Sequence, residues 1–224
     1  IYARDVIVSD GEVTATGGTA SAVYTGGYAE SFGICASGID ISGGTVTAEG
    51  GTASTTGTGY AESFGICAYN ITISGGTVNA DGRTASAAGT DGEASSGGIQ
   101  AAIIAISSST VTAEGGTASA DSEAYSRGCY AAGITISGGE VTATGGSASA
   151  ARSDGEAYSN GIDAFRITVA PAEREQITVT AGTDESSAAE ITGSPFQEET
   201  EIVDLASAAG VAYFKSAAEP ARYS

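Results

Sequence analysis

The chain has no histidine, no methionine and no tryptophan, only 3 cysteines and 3 prolines among 224 residues, and a single lysine at Lys215. Each shortage excludes a class of chemistry. Without imidazole there is no Ser-His-Asp or Cys-His arrangement, and no Cys/His metal spacing. Basic groups are scarce, 8 against 27 acidic, which leaves a net charge of -19. Such a field repels phosphate backbones and anionic membrane surfaces, so nucleic acid is not an expected partner. No apolar run approaches the length of a membrane-spanning helix and no signal peptide is present, so no membrane insertion is expected.

What is abundant is glycine, 34 residues of it, together with Ala, Ser and Thr in a repeating order. Ile1, Ile34, Ile66, Ile99, Cys129 and Ile162 align in one column, at a period of about 32 residues. Such self-similarity marks a unit that buries its apolar face only by stacking on neighbours. Within each unit apolar residues alternate with polar or small ones, as in Ile39-Asp40-Ile41 and Thr45-Val46-Thr47-Ala48. Period two means strands, and Gly43-Gly44 and Gly50-Gly51 fall where corners need unusual backbone angles. The expected fold is an all-β parallel β-helix, or β-solenoid, of about five coils.

The columns say which side chains face inward. Val6, Ile39, Ile71, Ile104, Ile134 and Ile167 form one stack, and Val8, Ile41, Ile73, Ile106, Ile136 and Val169 the next. Alanine columns at Ala48 and Ala53 and their equivalents imply a narrow interior. Disordered low-complexity sequence does not account for aligned Ile and Val columns. The repeat region spans residues 1–169. Residues 170–224 read as an irregular coil and cap, in which 177–180 is a displaced last coil, 183–189 a loop, 202–209 a short amphipathic helix and 211–215 a strand.

Three sets of residues are candidates for chemistry. Asp91, Asp121 and Asp154 stack beside Glu93, Glu123 and Glu156, and two carboxylate ladders of this kind can hold Ca²⁺, the one cofactor the sequence suggests, or can line a solvated acidic loop. Tyr28 with Tyr60, Phe32 with Phe64, and Tyr125 with Tyr158 form aromatic columns, which either clad the solenoid or, if outward, offer a platform for sugar rings. Cys35 and Cys67 share an outward column on adjacent coils; a disulfide and two free thiols both fit the spacing. Cys129 reads as a small core residue. Charge at Glu12, Glu49, Asp81, Glu114 and Glu140 interrupts the outward threonines, which argues against ice binding. No coil carries the basic residue or supported carboxylate pair of a polysaccharide lyase or hydrolase, so catalysis is not expected.

The unit Ile-Thr-Ile-Ser-Gly-Gly-Thr-Val at residues 71–78, repeated with Glu for Thr at 134–141, resembles the right-handed parallel β-helix repeats of large bacterial cell-surface proteins, notably those of gut anaerobes. Residues 191–196 with Tyr213-Phe214 are similar to the segment that closes such regions. The resemblance implies right-handed coiling, an extracellular or cell-surface location, and a role in adhesion or in binding a polysaccharide or cell-surface glycan, as some of those proteins are described as carbohydrate-binding domains. The alternative is a structural spacer, or a subunit that associates end to end.

Overall fold

A computed structural model describes residues 1–152 and 154–169 and five further strands. The first coil comprises β1 (Tyr2–Val8), β2 (Glu12–Thr16) and β3 (Thr19–Ala22); the second β4 (Gly27–Ile41), β5 (Thr45–Glu49) and β6 (Thr52–Thr55); the third β7 (Gly59–Ile73), β8 (Thr77–Asp81) and β9 (Thr84–Ala87). The fourth holds β10 (Glu93–Ile106), β11 (Thr110–Glu114) and β12 (Thr117–Ala120), and the fifth β13 (Glu123–Ile136), β14 (Glu140–Thr144) and β15 (Ser147–Ala150). A sixth set follows as β16 (Glu156–Val169), β17 (Ile177–Thr180) and β18 (Thr183–Ser186), and then come β19 (Glu201–Asp204), β20 (Ala212–Lys215) and β21 (Pro220–Tyr223). From β1 to β20 every third strand pairs in parallel, which makes a β-solenoid with three sheets, and β21 closes one of them by pairing antiparallel with β20.

The pairing register reproduces the sequence columns. Ile39 lies opposite Ile71, Ile71 opposite Ile104, and Ile104 opposite Ile134. Two cores result. Ile and Val fill the larger one, between the long strands and the β5–β8–β11 sheet. The second is alanine alone, between the first half of each long strand and the short strands that include β6 and β9.

A glycine column divides the two cores. Gly33 and Ile34 are consecutive and both buried, so the in-out alternation of the long strand slips by one residue there. A Cβ on Gly33 would stand 2.7 Å from the Glu49 carbonyl oxygen, and one on Gly98 2.6 Å from that of Ala80. Only glycine lets the long sheet fold in against the backbone of its neighbour. The outer face of that sheet becomes concave along the same line.

A serine column seals the boundary. Ser31, Ser63, Ser96, Ser126 and Ser159 are buried, and their hydroxyls donate to the carbonyls of Gly18, Gly51, Arg83, Gly116 and Gly146 at 2.7–2.9 Å. Ser126 Oγ also accepts from Gly146 N at 2.9 Å. The carbonyls of Gly18, Gly51, Arg83 and Gly116 also accept a backbone N–H from the next coil, so each serine adds a second hydrogen bond and its own hydroxyl is satisfied inside the molecule.

Beyond the regular coils two expectations need correction. Residues 201–204 are not helical but form β19, paired with the end of β16, because Ile202 and Val203 continue the Ile167 and Thr168 columns. Residues 183–186 are not a loop but the strand β18, in register with β15. The displaced coil at 177–180 and the strand at 212–215 are present as expected. Residues 187–189 and 205–210, and the 191–196 segment, lie outside the described residues.

Ile106 is 2 % exposed between Ile73 and Ile136. Ile106→Asp should cost about 4 kcal/mol or more and abolish the cooperative melt seen by circular dichroism; an unchanged melting curve would contradict the inward assignment. Ser126→Ala, which strips the Gly146 N–H of its partner and leaves the Gly116 carbonyl with the Ser147 N–H alone, should cost about 1–3 kcal/mol.

Candidate functional site

The concave outer face of the long sheet carries four columns whose residues change from coil to coil. Tyr28 and Tyr60 lie in register with Glu93, Glu123 and Glu156. Glu30 and Glu62 lie in register with Ser95, Tyr125 and Tyr158, so tyrosine and carboxylate exchange columns along the rod. Next come Phe32, Phe64, Gly97, Arg127 and Asn160, and across the glycine bend Cys35, Cys67, Gln100, Tyr130 and Asp163. The fourth coil contributes Ser95 and Gly97, the smallest members of their columns.

The Phe64 ring fills the space over Gly97, and at Ser95 the face opens into a cleft of about 300 Å³ bordered by Tyr60, Glu62, Glu93, Ser95, Gln100, Glu123, Tyr125, Arg127 and Tyr130. A second depression, lined by Cys67, Gln100, Tyr130 and Phe165 among others, continues from it across the same face. Arg127 builds one wall. Its guanidinium carbon sits 4.0 Å from the Tyr125 ring centroid and 4.5 Å from that of Tyr130. Nη1 donates to Ser95 Oγ at 3.0 Å, and Nε lies 2.5 Å from Asp163 Oδ2. The Nε contact is an ion pair without the alignment of a hydrogen bond, which leaves that N–H unsatisfied. Arg127 and Asp163 are 8 % and 4 % exposed, so the pair is desolvated as a unit.

The carboxylates of the cleft are under electrostatic pressure. Burial pushes the Glu62 carboxyl above its usual range, the Glu30 charge adds to this, and Arg127 opposes it. Glu93 is raised in the same way, by burial and then by the Glu123 charge. The Tyr60 hydroxyl is raised by Glu93, through its charge and a hydrogen bond. Tyr125 donates its hydroxyl to Glu123, and Tyr158 donates to Glu156 at 2.6 Å. Gln100 Oε1 is buried with no hydrogen-bond partner.

The aromatic candidates divide. Tyr28 and Tyr60 stack with centroids 5.2 Å apart, and Tyr125 and Tyr158 with centroids 5.4 Å apart. Tyr28 is 65 % exposed and Tyr60 40 %, and Tyr125 and Tyr158 are half-buried. Phe32 and Phe64 share a column, but they offer no platform. Phe64 is fully buried, and Phe32 nearly so. The bend folds their part of the outer surface inward, where Phe32 meets Tyr2 and Phe64 leans over the space that Gly97 leaves.

Of the two acidic ladders, Glu93, Glu123 and Glu156 are in register, whereas Asp91, Asp121 and Asp154 lie outside the paired strands and hold other partners. Arg152 bridges Asp91 and Asp154, reaching Asp154 Oδ1 at 3.0 Å, and Asp121 Oδ2 accepts from Asp91 N at 3.1 Å. The guanidinium holds the Asp154 carboxyl below its usual range. Among the described residues no three acidic or cysteine groups lie close enough to hold a metal ion. Arg83 likewise pairs with Glu49 at 2.8 Å, beside Asp81, which is in register with Glu49. Cys35 and Cys67 are in register as free, half-buried thiols, with Cys67 pushed up to about 12 by burial and by its neighbour, so neither is a thiolate at neutral pH. Cys129 is a buried core residue.

Arg127→Met should destabilise the fold by about 3–5 kcal/mol by stranding the Asp163 charge, and adding Asp163→Asn should recover much of that loss in denaturant unfolding. Additive single effects would contradict the pair. The raised carboxyls set a pH dependence. The native chain holds the Glu62 proton more tightly than the unfolded chain does. Its contribution is therefore complete below the unfolded value, near 4.5, and is lost as pH rises through the folded one. The melting midpoint should be higher at pH 5 than at pH 7.5, and Glu62→Gln should raise it at pH 7.5 by roughly 2–4 °C while changing it little at pH 5.

No curated protein and no solved structure matches the chain. A family model described as Beta helix repeat matches residues 39–63, 71–103, 104–133 and 134–151, four successive stretches whose strands stack coil on coil. Sequence match and architecture agree: this stretch is a parallel β-helix repeat region.

Proposed function

We propose that the protein is a non-catalytic binding module that takes a glycan on the concave face of its long sheet, as part of an extracellular or cell-surface protein engaged in adhesion or carbohydrate contact. The observation that carries this reading is the cleft on the fourth coil, where a column otherwise filled by Glu and Tyr gives way to Ser95 between tyrosines and carboxylates. Sugar rings present apolar CH faces and many hydroxyls, and a hollow that mixes aromatic rings with hydrogen-bond acceptors fits both. The second depression continues the cleft along the strands past the glycine bend, so further sugar units can extend toward Cys67 and Phe165. Glu62, Glu93 and Glu123 serve here as acceptors and not as acid and base.

A glycan array measured with the parent protein and with Tyr60→Ala tests the reading. The parent should retain at least one glycan class with a signal reduced about tenfold or more in the variant, and no new reducing ends should appear on prolonged incubation. Released reducing ends would overturn the non-catalytic role. A silent array together with large species in light scattering would favour the structural-spacer alternative.

A further inference from the structure

The cleft borders three carboxylates, Glu62, Glu93 and Glu123, and its one cation, Arg127, is already held by Asp163 and Ser95. The Tyr125 hydroxyl donates to Glu123, so this donor too is committed. Gln100 adds a buried amide oxygen without a partner. Acceptors therefore outnumber donors, and a ligand completes the site by bringing hydrogen-bond donors. The chain as a whole carries a charge of -19, which raises the local concentration of cations and repels uronic-acid or sulfated chains.

We infer that the cleft selects a cationic amino sugar, a glycan whose unit in the cleft carries a free ammonium group in place of an acetamide. This rests on the glycan reading above and adds the charge of the ligand to it. The ammonium sits between Glu93 and Glu123, neighbours in one column, where charge-assisted hydrogen bonds offset the repulsion between the two carboxylates, and the Glu62 charge on the next column adds to the field. The carbon face of the ring lies against the edge of Tyr60 or Tyr130, and the Gln100 amide turns to accept from a ring hydroxyl. The volume of about 300 Å³ suits one sugar unit, at the low end of the ~300–1,000 Å³ of small-molecule sites. An acetamide has no charge to give, and its methyl group would be set against carboxylates.

Calorimetric titration at pH 6 and low salt tests this with four probes: a β-1,4-linked glucosamine tetrasaccharide, its fully N-acetylated counterpart, tetragalacturonate and tetralysine. The glucosamine tetrasaccharide should bind at least tenfold more tightly than the other three, weaken as salt is added, and lose about tenfold with Glu93→Gln. The melting curve of that variant confirms its fold. Equal binding of the acetylated tetrasaccharide would overturn the charge selection and leave the glycan reading standing. Tetralysine binding as tightly as the amino sugar would overturn the amino-sugar assignment and the glycan reading together, whereas heat from none of the four would overturn the charge selection alone, the glycan reading being decided by the array.

Discussion

Everything in this molecule depends on backbone hydrogen bonds made to the coil before and the coil after. Parallel strands about 4.8 Å apart leave no freedom of register, so each residue stands directly over its counterpart. Ile39 stands beside Ile71, Ile104 and Ile134, and a side chain that suits one coil is the side chain its neighbours need. The constraint explains the monotony of the interior. It also means that a departure from a column is a local change of shape, because the backbone has no slack with which to absorb it.

The glycine column turns that regular wall into a surface with a hollow. Gly33, Gly65 and Gly98 meet opposing backbone at distances no side chain tolerates, and the buried serines next to them add a second hydrogen bond to the corner carbonyls. Folded inward along this line, the outer face presents residues before and after the bend to each other. Phe32 and Phe64 close the hollow over the second and third coils. On the fourth coil Ser95 leaves it open, and on the fifth Arg127, clamped by Tyr125, Tyr130 and Asp163, forms its far wall. The binding reading is a consequence of where the columns break.

The coils were legible in the sequence because period-two alternation and a fixed repeat are one-dimensional signals, and Ile34, Ile41 and Val46 face inward as their columns require. The concavity was not, because the slip at Gly33-Ile34 leaves the same residue types in the same order whichever way the strand bends. For that reason Phe32 and Phe64 looked equivalent to Tyr28 and Tyr60. Alignment alone could have placed Glu93 and Glu123 in the column of Tyr60, since each lies six residues before its anchor; sorting residues by chemical type hid it. The serine column is visible in the same way, three residues before the anchor. Residues 201–204 misled because Ile202 and Leu205 have helical spacing, while pairing with Arg166–Val169 decides the matter in favour of a strand.

The most direct test of the account is to locate the ligand on the protein. In ¹⁵N-labelled protein titrated with a glucosamine tetrasaccharide, amide shifts should move around residues 60–62, 93–100 and 123–130, with the sheets containing β5 and β6 unaffected. Shifts confined to those other sheets, or scattered over the acidic surface without saturating, would mean that the hollow on the fourth coil is a by-product of the bend and not a binding site.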